Sequence, residues 1–528
     1  MALKTSKLTK LSQGYAQPPC RLEQGELMPL PHYKPDLSAK ADSIMCPDNS
    51  AKEGSPDGVS ALGLSRPKSA QDEAEFVQRF INGLKKLFSP KYNWTFYQPL
   101  QLSIESCVHC HTCDDVCPVY VASGRKEIYR PNYRLEVLQE LKKRYIDLKP
   151  PDWLIRSKSP KLTWTLISQL AELTYRCTLC RRCTQACPMG VNHGLVAREL
   201  RKLFSQEMGI APRELHEMAT VRQLSENTVF SPLEHTSVQD VLFNLIGKKV
   251  NLPIDKAGAE YLVIYSSDDF PERIKSAATA AIMMDAAGLN WTFSNEIDSQ
   301  TNNFGVWYDD IQLFRIAKRQ NEIARNLKVK RILISEWCGH AYNALIVFSD
   351  RTTSGEPKIP RETYLPLLED LICNQKLVTD PQKINFPVTL HDPCNLVRQM
   401  GIINPQRRVL RKICPDFREM EPHGVDNYCC GGGSGLAFMT SPDIVEWRMA
   451  VAGRIKVKQI LETFSDVLDK PVNKFVCTPC LTCQIQINGL LDYYGLREKY
   501  HIYCGGLTDL VLNAMTEVKN PPSLFAKR

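Results

Sequence analysis

Residues 107–118 read CVHCHTCDDVCP, four cysteines and a closing proline spaced Cys107-x2-Cys110-x2-Cys113-x3-Cys117-Pro118. A second copy, CTLCRRCTQACP, occupies residues 177–188 with Cys177, Cys180, Cys183, Cys187 and Pro188 at the same offsets. Structural zinc usually takes its ligands as two separated pairs. Thiols at every third residue instead can wrap three corners of a cubane, and the distant fourth, marked by proline, can reach another cluster. Two copies argue against a zinc ribbon or a disulfide knot. The spacing rule assigns Cys107, Cys110, Cys113 and Cys187 to one [4Fe–4S] cluster, and Cys177, Cys180, Cys183 and Cys117 to a second.

The rest of the chain fits a metal-bearing protein of a reducing compartment. Its 528 residues suggest about three or four domains. A composition 43% hydrophobic and 23% charged leaves ample material for a core. Twenty cysteines are too many for isolated structural thiols, and their short-spaced grouping speaks for metal over a disulfide scaffold. The start, MALKTSKLTKLSQGYAQPPC, shows no apolar export core, and no run of apolar residues is long enough to span a bilayer. A net charge of +8 is mild at this length, and no nucleic-acid module accompanies it.

Residues 1–71 are rich in Pro, Ser, Gly and Lys without a sustained period and read as an extended, low-complexity arm. From Asp72 to about residue 240 the segments DEAEFVQRFINGLKKLF, NYRLEVLQELKKRYIDL, LTWTLISQLAELTYR and HGLVARELRKLFSQEMGI have helical spacing, which places both cysteine motifs in turns of a helical domain. Past residue 255 the texture changes. EYLVIYSS, LNWTFS and RILISEWCGH read as strands alternating with the helices SAATAAIMMDAAG and DIQLFRIAKRQNEIARNLK. FPVTLHDPC restarts the pattern, followed by the helix QRRVLRKIC, one long helix SPDIVEWRMAVAGRIKVKQILETF, the strand KFVCTPCLTC and a terminal helix. Such alternation predicts parallel α/β architecture in two similar halves, 255–375 and 380–520.

In the second half the cysteines follow strand ends: Cys394 in HDPC, Cys429 and Cys430 in YCCGGG, and Cys477, Cys480 and Cys483 in CTPCLTC. Ligands of α/β sheets gather beyond the carboxyl ends of strands, so these loops would converge their thiols. Gly431 to Gly433 would let the backbone approach an inorganic cluster and adopt unusual dihedrals. A vicinal disulfide is the plain alternative for Cys429–Cys430 alone; the flanking cysteines favour a cluster.

This set resembles the CCG domain of heterodisulfide reductases. Two ferredoxin motifs ahead of two CCG-type halves on one chain resemble the fused HdrD-type subunit, over residues 100–515. The resemblance implies an α+β multidomain fold, with a helical ferredoxin-like domain holding two [4Fe–4S] cubane clusters and an intact CCG half holding one noncubane [4Fe–4S] cluster. Five cysteines bind such a cluster in the family. The motif fits Cys394, Cys429, Cys430, Cys480 and Cys483, with Cys477 in reserve. The first half departs from the pattern: it has YSSDDF, no CCG, and only Cys338 in SEWCGHAY. That lone cysteine is similar to the DsrK and TmcB branch.

The resemblance implies an oxidoreductase subunit on the cytoplasmic side of the cell membrane, attached through an integral membrane quinone or haem b subunit. Cytochrome c and ferredoxin-like subunits would be further partners. Electrons would pass through the cubanes to the noncubane centre and reduce a disulfide or trisulfide, carried by a small molecule or a sulfur-carrier protein. Cys338 and His340, after a strand of the half that lost its cluster, are candidates for binding and protonating a departing sulfur. The rival expectations are a pure electron-transfer subunit of a flavin dehydrogenase, or of a cytochrome-linked transmembrane complex. His109 and His111 would tune potential without ligating. His391 could hydrogen-bond cluster sulfur but reads first as structural; His193 reads as a helix-start residue, Cys373 as core, and Cys414 and Cys504 as lacking partners by spacing.

Overall fold

The computed structural model describes residues 55–147, 162–216, 232–247, 249–265, 270–296, 307–335, 339–349 and 359–526. The chain divides into two compact units, the first comprising residues up to 217 together with 307–309 and 431–458, the second comprising the remainder.

The first unit is helical and built around the helix His193–Met208, which packs against the helices Ala70–Leu87, Tyr97–Ser106, Tyr133–Tyr145 and Trp164–Thr174. Asn192 starts it by accepting the Leu195 N–H at 2.9 Å, and Gly209, at φ 69°, stops it. On the neighbouring helix Ala70–Leu87 the buried residues are Phe80, Gly83, Leu84 and Leu87, one face at helical spacing. Gly83 allows the close crossing: a Cβ there would lie 2.9 Å from Leu203 Cγ. Residues 55–62, read from sequence as part of a loose arm, are held on this body. Ser60 Oγ donates to Glu172 at 2.8 Å, and the N–H groups of Ala61 and Leu62 donate to the same carboxylate at 2.7 and 3.0 Å.

The second unit holds two four-stranded parallel sheets. The first contains β1 (Tyr261–Ile264), β2 (Trp291–Thr292), β3 (Arg331–Ile334) and β4 (Arg361–Thr363), in the order β2-β1-β3-β4. The second contains β5 (Val388–Leu390), β6 (Phe417–Arg418), β7 (Lys474–Cys477) and β8 (Ile502–Gly505), in the order β6-β5-β7-β8. Both sheets therefore have the order second, first, third, fourth, so the two halves repeat one topology. A single apolar cluster runs through both, from Val263 and Leu333 to Leu390 and Phe475. In each sheet the order reverses between the first and third strands, which opens a crevice beyond their carboxyl ends.

The sequence reading differs from the structure in one long element. SPDIVEWRMAVAGRIKVKQILETF is not one regular helix: it comprises Pro442–Trp447, a π-helical stretch Arg448–Ala452, a turn at Gly453 and a second helix Arg454–Thr463. The physical reason lies in the glycines of YCCGGG. A Cβ on Gly431, at φ 96°, would meet the Gly453 nitrogen at 2.5 Å, so two backbones cross here. A Cβ on Gly433 would meet the Thr178 carbonyl oxygen at 2.5 Å. These two glycines thus serve a close approach of protein backbone to protein backbone.

Candidate metal centres

In the first unit the two cysteine motifs fold alike. His109 and His111 have φ of 55° and 61°; Leu179 and Arg181, at the same motif positions, have 53° and 58°. Four non-glycine residues in the left-handed region each cost roughly 1–2 kcal/mol in an unconstrained chain. Alternation of right- and left-handed residues turns successive N–H groups toward one point, a concavity suited to an anionic centre. Val191 N–H donates to Cys187 Sγ at 3.4 Å, an amide aimed at sulfur.

The thiols group across the motifs. Cys107, Cys110, Cys113 and Cys187 line one pocket together with Asn132 and His193. Burial raises the Cys107 thiol, and the charges Cys187 and Cys110 would carry add to that. Burial pushes Cys113 up to about 12, with Asp114, Cys107 and Cys187 adding. Desolvation takes Cys117 to about 12 as well, and its thiol neighbours are Cys180 and Cys177. Cys183 is raised first by desolvation, then by Cys117, Cys180 and Cys177. Thiols that raise one another do not ionise as a group unless a cation joins them, and thiolates are the form that binds metal. The donor set fits an iron–sulfur cluster on these grounds. Cys110 differs: exposed, it is lowered by the Thr112 hydroxyl 3.3 Å away.

The histidines of the first motif turn toward carboxylates. His109 Nδ1 lies 3.2 Å from Glu136 Oε1, and His111 Nδ1 lies 3.1 Å from Asp114 Oδ2. His193 is the first residue of its helix and is buried; desolvation and Arg134 lower it to about 4.

The second unit brings Cys430, Cys480 and Cys483 together beyond the strand ends of the second sheet. β5 is followed by His391, Asp392, Pro393 and Cys394; β7 by Thr478, Pro479 and Cys480. Asp392 fixes the first of these loops by receiving the Arg407 fork, one arm at 2.7 Å, and the Gly424 N–H at 2.6 Å. Cys430 Sγ lies 3.5 Å from Cys483 Sγ. A ring nitrogen of His391 and these two sulfurs lie within 4.8 Å of one another. Hydrogen bonds from Cys430 and Cys480, followed by burial, raise the Cys483 thiol well above its ordinary value. Cys394, Cys429 and Cys480 are buried too, and none of the described cysteines is in a disulfide. Cys477 differs: its side chain belongs to the apolar core cluster beside Leu390 and Phe475.

Elsewhere, Cys373 ends the helix Tyr364–Cys373 and is exposed, which corrects its reading as core: the apolar face runs through Leu365, Leu368, Leu371 and Ile372. Cys414 lies in the apolar core, where burial pushes it up to about 12. His340 is buried in the helix Gly339–Asn343, and Cys338 lies outside the described residues. Sequence reasoning missed two features: the repeated left-handed positions, which no glycine marks, and Asn395, whose amide nitrogen faces the sulfur of the preceding Cys394.

Residues 103–191 match the 4Fe-4S dicluster domain family, and residues 388–488 match the cysteine-rich domain family called CCG. The chain is thus an iron–sulfur protein with a dicluster domain and a cysteine-rich domain. It is 25% identical, over 79% of its length and 80% of the relative's, to Hdr-like menaquinol oxidoreductase iron-sulfur subunit 2 of Archaeoglobus fulgidus. It is 24% identical, over 70% of its length and 86% of the relative's, to a subunit of the dihydromethanophenazine:CoB–CoM heterodisulfide reductase of Methanosarcina barkeri. A third relative, the EtfAB:quinone oxidoreductase of Syntrophomonas wolfei, is 24% identical over 73% of this chain and 55% of its own. Together these matches support a likeness to the HdrD-type heterodisulfide reductase family. Among the described residues no helix is long and apolar enough to cross a membrane.

Proposed function

We propose that the protein is the iron–sulfur component of a quinol-linked membrane complex that delivers electrons to a sulfur–sulfur bond. The observation that carries this reading is the convergence of three loops at the β5/β7 crevice, where Cys430 and Cys483 sulfurs lie 3.5 Å apart beside His391, on the same chain as a dicluster domain. Cys107, Cys110, Cys113 and Cys187 would hold one cubane, and Cys177, Cys180, Cys183 and Cys117 the other. Cys394, Cys429, Cys430, Cys480 and Cys483 would hold the noncubane cluster; Cys477, turned into the apolar core, drops out of the set. When bound, the cubanes supply one-electron transfer and the third cluster supplies reduction of sulfur.

The chain's own residues divide the remaining work. The exposure of Cys110, with Val108 at 62% and Met189 at 51%, makes the first pocket the face for the electron donor. In the second unit, Cys338 and His340 would serve the departing sulfur, the imidazole offering a proton. This role draws support from Gly339, where a Cβ would lie 3.0 Å from Leu396 Cγ on the helix that begins with Cys394. Attachment to a membrane quinone subunit on the cytoplasmic side, membership of the DsrK and TmcB branch, and a sulfur-carrier substrate belong to the same proposal. Its support is the naming of relatives as menaquinol oxidoreductase and heterodisulfide reductase subunits. A second reading, electron transfer without sulfur chemistry, draws on the likeness to EtfAB:quinone oxidoreductase.

Anaerobic purification with iron and sulfide analysis tests the count, expected at about twelve irons per chain. EPR of the oxidised protein with candidate thiols separates the readings. A new thiol-dependent signal supports sulfur chemistry, its absence favours the second reading, and zinc in place of iron would sink both.

A further inference from the structure

The first α/β half lacks the cysteines of a cluster, yet it touches the one beside it. Its helix Gly339–Asn343 packs on the helix Cys394–Met400 of the second half. At that contact three amides close a ring. Asn343 Nδ2 donates to Asn395 Oδ1 at 3.2 Å and to Gln399 Oε1 at 2.7 Å, and Gln399 Nε2 donates to Asn395 Oδ1 at 2.9 Å. The Asn395 oxygen thus receives two N–H donors. Its own amide nitrogen faces Cys394 Sγ at 3.6 Å. Reversing the Asn395 amide alone would set its NH2 group against two others. Reversing all three together would keep the ring but turn the Asn395 oxygen on Cys394. A ligating thiolate only accepts, and so selects the orientation with nitrogen toward sulfur. Asn343 and Asn395 are buried, at 1% and 4% exposure, so water does not readily replace these bonds.

We infer that Asn395 donates an N–H to the sulfur of Cys394, and that Asn343 is a positioning residue through which the cysteine-poor half sets the potential of the third cluster. This rests on Cys394 being a cluster ligand. An N–H directed at a ligand sulfur stabilises the more negative, reduced state, and hydrogen bonds to sulfur are among the means by which proteins set cluster potentials. The half that has lost its cluster would keep a role by holding this amide in place.

The test is an EPR-monitored redox titration of the intact protein as wild type, Asn395→Leu and Asn343→Leu, with iron analysis of each. Leucine carries no charge, so only the hydrogen bonds change. Asn395→Leu should keep its iron and shift the reduced-to-oxidised ratio of one cluster about tenfold toward oxidised, 59 mV for one electron. The other two clusters should hold their potentials. Asn343→Leu, which touches no sulfur, should shift the same cluster in the same direction by less. Full iron with unchanged potentials in Asn395→Leu would overturn the inference. So would loss of iron in that variant, since the amide would then be a scaffold and not a tuning donor. A Cys394→Ser protein that keeps all its iron would instead refute the ligand assignment beneath it.

Discussion

Leu179 and its counterpart His109 show what a single residue carries in the two motifs. Each adopts a left-handed φ, 53° and 55°, without being glycine. The cysteine spacing was legible because the ligand geometry demands it; the backbone turn between the cysteines was not, since neither leucine nor histidine advertises a positive φ. If ligation holds these turns, changing their intrinsic cost should change cluster loading. Leu179→Gly should keep or improve loading, because glycine adopts this φ freely. Leu179→Ile adds a β-branched side chain to the same conformation and should lose on the order of 1–2 kcal/mol, with iron lost from one cubane. Iron analysis alongside EPR spin counting checks both, and equal loading in the two variants would show that the turn is not under strain.

At the scale of elements, periodicity located most helices and the longer strands, but not how they are used. The spacing of HGLVARELRKLFSQEMGI predicts a helix without saying where its charges go. In the structure Arg198, Glu199, Arg201 and Lys202 are all buried. They survive burial as a network. Glu199 receives Arg198 at 2.8 Å and Lys202 at 2.6 Å, while Arg201 caps the carbonyls of Thr174 at 2.9 Å and Cys177 at 2.7 Å. The two ion pairs lie within one turn of helix, but the Arg201 contacts, 27 and 24 residues away in sequence, are invisible to a local window. Glu199→Gln would leave two buried cations without their carboxylate and should cost about 3–5 kcal/mol, the range for breaking a buried pair. Thermal unfolding of the iron-loaded protein measures it, and a change below about 1 kcal/mol would mean the site is wetter than its burial indicates. The edge strands β4, β6 and β8 also escaped the sequence reading. Two or three residues, as in Phe417–Arg418 and Arg361–Thr363, are too short for an alternation to register, and Ile502–Gly505 ends in glycine.

At the scale of the whole molecule the chain order and the spatial order part company. The repeat of two α/β halves was legible, because each half restarts the same succession of strands and helices. The destination of Gly431–Lys458 was not: it follows Cys430 directly in sequence but belongs to the first compact unit. Trp447 is the residue on which that arrangement turns. It is 1% exposed, donates from Nε1 to the Tyr129 hydroxyl at 3.1 Å, and lies under the Arg176 guanidinium at 5.5 Å. Arg176 directly precedes Cys177, the first cysteine of the second ferredoxin motif. Truncating the indole should therefore weaken the dicluster domain, although the sequence assigns Trp447 to the CCG half. Trp447→Ala is expected to cost about 3–5 kcal/mol. It should lower the iron bound by the dicluster motifs while leaving the thiol-dependent EPR signal of the third cluster. If the third signal were lost and the two cubanes kept, Gly431–Lys458 would serve the unit its sequence position suggests, and the division of the chain described above would be wrong.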